Sequence, residues 1–120
     1  MKLSEREWTV LDALWKLGEA ELGAVVEALH PKTGWNRNTV LTYLTRMEDK
    51  GLVCIEKEKN PHTYRAALNR ADCQARERKS FLNRVYGGSR GDLIAAFLRE
   101  EPISPEEVEE LRRLLDEMEV

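Results

Sequence analysis

Cysteine is scarce in this chain, with only Cys54 and Cys73 among 120 residues. Two thiols are too few for a disulfide framework, so reduced side chains are expected. Together with His30 and His62 they have no metal-ligand spacing, and no metal site is expected. No apolar run approaches the length that crosses a bilayer, so no membrane insertion is expected. The opening Met1-Lys2-Leu3-Ser4-Glu5 has no apolar signal region, which points to a cytoplasmic location. The chain contains no glycine-rich phosphate loop, no nucleophile elbow and no metal motif, so it does not read as an enzyme and implies no cofactor. Internal repeats and low-complexity segments are absent too.

A positive charge balance is also missing: the net charge is -3 at pH 7. Its distribution is uneven. Residues 1 to 66 hold ten basic and ten acidic side chains. Between residues 70 and 99, Arg70, Arg76, Arg78, Lys79, Arg84, Arg90 and Arg99 outnumber Asp72, Glu77 and Asp92. The last twenty residues carry eight acids against Arg112 and Arg113. Screening confines each field to about 10 Å, so an acidic tail does not exclude a basic surface elsewhere.

Hydrophobic spacing divides the chain into helices and one hairpin. Ser4-Glu5-Arg6-Glu7 is a capping box, followed by Trp8, Leu11, Leu14 and Trp15 at helical spacing up to Gly18. A second pattern (Leu22, Val25, Val26, Leu29) runs from Glu21 and is predicted to close at His30-Pro31. Trp35 precedes a third helix, capped by Asn36, with Val40, Tyr43, Leu44 and Met47 on one stripe and Gly51 at its end. Residues 52–57 and 63–67 are predicted strands around the turn Lys59-Asn60-Pro61-His62. Three helices and a hairpin are the order of a winged helix-turn-helix. The three tryptophans fall within apolar patterns and are expected to be core residues.

The surface of the third helix is the most informative feature. Arg37, Asn38, Thr42, Thr45 and Arg46 are short or forked hydrogen-bonding groups, where a merely solvated face more often carries Glu and Lys. Such side chains suit a DNA major groove: Arg pairs with guanine, Asn with adenine, and Thr with phosphate or a thymine methyl. Leu41 on the same helix suits a thymine methyl. Lys57, Lys59 and His62 lie near the hairpin tip, where either a DNA contact or a charged edge that resists pairing accounts for them.

From Asn69 onward the pattern is helical. One helix is predicted to about Val85, a short one over Asp92–Leu98, and a last one after the capping box Ser104-Pro105-Glu106-Glu107. Leu93, Ile94, Phe97 and Leu98, then Val108, Leu111, Leu114, Leu115 and Met118, make more apolar surface than three separate helices hide on one another. A second copy of the chain is the natural cover, with Leu93, Phe97, Val108, Leu111, Leu114 and Leu115 as candidate dimer contacts.

Five segments together resemble the penicillinase-repressor family of bacterial regulators. They are Leu3-Ser4-x-x-Glu7-Trp8-x-Val10-Leu11, the run from Trp35 to Gly51, the wing ending at Tyr64, the run from Lys79 to Gly88, and the terminal run from Ser104 to Arg112. The resemblance implies a mainly α protein with a small β-hairpin. Residues 1–68 would form a winged helix-turn-helix for DNA and residues 69–120 a helical dimerisation domain. It implies a cytoplasmic homodimeric repressor on a palindromic double-stranded operator overlapping a promoter. It places Asn38, Thr39, Thr42 and Arg46 where the family's recognition helix meets DNA; Arg37, Lys57 and Lys59 complete the expected DNA-binding set. In antibiotic-responsive members a membrane sensor triggers proteolysis at an Asn-Phe bond in the short helix before the last, and Ala96-Phe97 is the matching dipeptide here. The copper-responsive branch ends in a cysteine-rich hook, which Met118-Glu119-Val120 does not supply. Two other readings remain at this point: control by a small ligand bound in the dimer domain, and a winged helix used for protein contact.

Overall fold

Ser4 starts the first helix as the capping box predicts. Its hydroxyl accepts the Glu7 amide at 3.1 Å, while Glu7 Oε1 accepts the Ser4 amide at 2.9 Å. The computed structural model describes residues 2–100 and 102–118. In chain order it contains α1 (Glu5–Leu17), β1 (Ala20–Glu21), α2 (Leu22–Thr33), α3 (Arg37–Asp49), β2 (Val53–Glu56), β3 (Thr63–Ala66), α4 (Arg70–Tyr86), α5 (Arg90–Glu100) and α6 (Pro105–Glu117). The three strands form an antiparallel sheet in the order β1-β3-β2, with Tyr64 opposite both Ala20 and Ile55. The architecture is mainly helical, a winged helix-turn-helix with β2–β3 as the wing.

Helical spacing decides what is buried. Val10, Leu11 and Leu14 from α1, Val25 and Leu29 from α2, and Val40, Leu44 and Met47 from α3 meet in one core. Leu52, Val53 and Tyr64 close it from the sheet side. Removing each such Val or Leu from water is worth about 1.5–3 kcal/mol, and this holds three short helices that would be marginal alone. The tryptophans, expected in the core, only border it: Trp15 and Trp35 pack against it, half-buried, and the half-buried Trp8 meets Trp15 edge-on at 5.8 Å.

Several expectations need correction. The second helix does not close at His30-Pro31: α2 continues through Pro31 to Thr33. The stop comes from Gly34, whose left-handed φ of 67° lets its N–H cap the His30 carbonyl at 2.9 Å. Glu21 stands at the N-cap of that helix, as the pattern places it, but it also belongs to β1 and pairs with Thr63. A two-residue strand has no alternation to read, and only the approach of β3 creates it. The two wing strands are also shorter than predicted, and Met118 lies beyond the end of α6 rather than on its stripe.

The chain falls into two units, one up to Glu77 and one from Arg78. Within the first, the chain leaving the wing is fastened to α1. Trp15 Nε1 donates to the Leu68 carbonyl at 2.8 Å, and the Arg70 guanidinium lies 5.1 Å from the centre of the Trp15 ring. Arg70 also pairs with Asp12 at 2.9 Å. In the second unit neither α5 nor α6 has a buried residue. No described helix is long and apolar enough to cross a membrane.

Candidate nucleic-acid interface

Both ends of α3 are locally encoded. Asn36 Oδ1 accepts the Thr39 amide at 2.9 Å, satisfying one of the donors that a helix start leaves open. At the other end Gly51 adopts a φ of 78°, and the Gly51 and Leu52 amides bond back to the Glu48 and Met47 carbonyls. That pair of bonds is a Schellman motif, which requires a residue free to enter the left-handed region. The inner stripe of α3 is sealed in the core. Arg37, Asn38, Leu41, Thr42, Thr45 and Arg46 therefore share the solvent side, with Leu41 38% exposed.

The chemistry of that face can be read atom by atom. Thr42 and Thr45 donate their hydroxyl protons to the Asn38 and Leu41 carbonyls at 2.9 Å. What each presents outward is an acceptor lone pair and a methyl group, suited to an exocyclic base amine or a thymine methyl. Donating to phosphate requires the hydroxyl to rotate away from its helix bond. Arg37 and Arg46 have no carboxylate within ion-pairing distance among the described residues, so their guanidinium forks are unoccupied. Thr39 differs from its neighbours: it is half-buried, and its amide serves the cap.

The start of α3 and the tip of the wing border one cleft, which Arg37, Asn60, Pro61, His62 and Tyr64 help line. Lys57 and Lys59 stand on this wing, exposed, but each has a carboxylate partner. Lys57 Nζ lies 3.1 Å from Glu48 at the end of α3, and Lys59 Nζ lies 2.6 Å from Glu19 ahead of β1. The Lys59 hydrogen bond holds Glu19 below the usual carboxylate range and correspondingly raises Lys59. Sequence reasoning missed Glu19 and Glu48, since partners forty and nine residues away leave no local signal. It also missed how α3 is steadied: Trp35 stacks on Tyr43 at 4.6 Å, and Tyr43 Oη accepts from Arg6 at 3.1 Å.

The C-terminal candidates divide by exposure. Phe97 is 61% and Leu115 65% exposed, Leu111 and Leu114 are also exposed, and Leu93 and Val108 are half-buried. Ala96, half-buried, and Phe97 both lie inside α5.

Comparison with known proteins assigns this arrangement. The sequence profile of the family described as penicillinase repressor matches residues 3–117. The chain belongs to the penicillinase repressor family. That family consists of DNA-binding transcriptional repressors. Among relatives of this penicillinase-repressor member is the methicillin resistance regulatory protein MecI of Mammaliicoccus sciuri, 29% identical over 115 residues, 96% of this chain and 94% of that one. The penicillinase repressor of Bacillus licheniformis is 29% identical over 116 residues, 97% of this chain and 91% of its own. The penicillinase repressor of Staphylococcus aureus is 26% identical over 118 residues, 98% and 94% of the two chains.

Proposed function

We propose that this chain acts in the cytoplasm as a homodimeric repressor of a palindromic operator. Residues 1–68 carry DNA recognition and residues 69–120 dimerisation. The observation that carries the reading is the outer face of α3, where two arginines without a carboxylate partner among the described residues flank Asn38, Thr42 and Thr45 with no acid between them. In this reading Arg37, Asn38, Thr42 and Arg46 meet base edges or phosphates in the major groove, Thr39 sits at the helix start beside the backbone, and Lys57 and Lys59 follow the backbone from the wing. Two copies place their α3 helices about one DNA turn, or a multiple of it, apart.

The unburied faces of α5 and α6 support dimerisation. Phe97, Leu111, Leu114 and Leu115 expose large apolar side chains that a single chain leaves in water. Release by an inducing signal acts on these same helices, with proteolysis by a sensor protease at Ala96–Phe97 as the proposed route.

Selection of bound fragments from genomic DNA with the purified chain, followed by footprinting at two salt concentrations, tests the function. The expected result is a protected palindrome beside a promoter. Binding that is independent of sequence and collapses with salt would reduce α3 to a charged surface.

A further inference from the structure

On the DNA-facing side of unit 1, Arg37 and Arg46 of α3 have no carboxylate partner among the described residues, whereas both lysines of the wing are already matched to carboxylates on other elements. Lys57 reaches across to the end of α3, and Lys59 to the segment joining α1 to β1. All four groups are solvated: the lysine side chains are more than half exposed and the carboxylates about a third. A pair of this kind is weak enough to exchange, since exposed ion pairs contribute little. It is nevertheless strong enough to matter where a single phosphate contact changes the salt dependence of binding measurably. Glu58 supplies an internal contrast, as it stands between the two lysines on the wing and pairs with no described cation.

We propose that Glu19 and Glu48 are intramolecular stand-ins for DNA phosphate: they hold Lys59 and Lys57 against the body of the DNA-binding unit, and the wing grips the DNA backbone only by exchanging carboxylate for phosphate. This rests on the DNA-binding reading and adds two residues that set grip without touching a base. The consequence is a restrained grip on every duplex alike. A wing with free lysines strengthens binding to every duplex, because phosphate contacts carry no sequence information. A wing whose lysines are already paired lowers affinity for operator and random duplex together and leaves discrimination to α3.

The test uses the full chain and fluorescence anisotropy with two labelled duplexes, the selected operator and a random sequence, over a series of KCl concentrations. Glu19→Gln, Glu48→Gln and the double variant are compared with Glu58→Gln, and thermal melts check that each is folded. Each paired-acid variant should tighten binding by about two- to five-fold on both duplexes. The slope of log affinity against log salt should steepen by less than one for each lysine released, because the phosphate contact forms in either case and only the salt-screened ion pair is lost. The gain of Glu48→Gln should vanish when Lys57 is also replaced by Met, and that of Glu19→Gln when Lys59 is. Unchanged affinity and slope overturn the proposal. So does an equal gain from Glu58→Gln, which would reduce the effect to net charge, or a gain confined to the operator, which would put the acids against bases. If the unmodified chain binds neither duplex, the DNA-binding reading itself fails; if it binds and the variants match it, only the exchange fails.

Discussion

Arg46 is the residue whose role is most open to direct measurement. It is exposed near the end of α3, free of any described carboxylate, and one turn beyond Thr42 on the same face. Arg46→Ala should cost about 1–3 kcal/mol of operator binding and relax specificity at one base position if the guanidinium reads a base. A uniform loss across base-substituted operators would make it a phosphate contact, and unchanged affinity would remove it from the interface. Glu7 shows the other kind of residue-scale effect. Only 7% exposed, it caps α1 and accepts Lys50 Nζ at 2.8 Å. Burial alone would push this carboxyl up. The hydrogen bonds from Lys50 and from the Ser4 amide and hydroxyl, with the Lys50 charge, hold it below its ordinary 4.5. A depressed carboxylate stabilises the fold fully above its ordinary pKa, and that contribution is lost as pH falls through the lower folded value. Thermal stability should therefore drop as pH falls below about 4.5, and Glu7→Gln should lower stability at neutral pH while flattening that acid limb.

At the scale of elements, α3 is a rigid rod only because its inner stripe is sealed. Val40 and Leu44 are fully buried against α1 and α2, so the outer side chains inherit their placement from the core. Leu44→Ala should destabilise unit 1 by about 2–5 kcal/mol in chemical denaturation, through lost transfer energy and the cavity left behind. Binding should fall with folding, and a variant of native stability would show that α3 is not anchored there. The element is largely legible in the sequence: the Asn36 cap, the apolar spacing and the Gly51 stop are all local, and the fold keeps all three. The end of α2 was not. Pro31 reads as a stop, yet the last turn carries it, because the true terminator is a glycine three positions on that enters the left-handed region.

For the whole molecule the open question is what covers the C-terminal helices. Ile94, Phe97, Leu98, Leu114 and Leu115 are each about half exposed or more, an arrangement a lone chain does not favour. Leu111→Asp places a charge on that surface and should convert the proposed dimer to monomers, read by sedimentation velocity, with operator binding much weakened. A variant that remains dimeric would move the interface elsewhere. Binding of the unmodified chain to a full palindrome should exceed binding to a half-site, since linking two recognition helices makes the second contact intramolecular.

The sequence by itself determined the presence of the helices, the caps of α1, α3 and α6 and most of the helical residues that line the core, because these depend on neighbours three and four positions apart. It also identified the face of α3, since one side of a helix follows from spacing alone. Family membership was legible in segments long enough to be specific. Tertiary structure decided which distant groups meet: β1 with β3, Trp15 with the Leu68 carbonyl, Glu7 with Lys50, and the wing lysines with Glu19 and Glu48. Such pairs are separated by nine to fifty-three residues, and no periodicity links them. They exist only once the hydrophobic core has folded the chain back on itself, so the electrostatic state of the wing is a property of the fold and not of the wing's own residues.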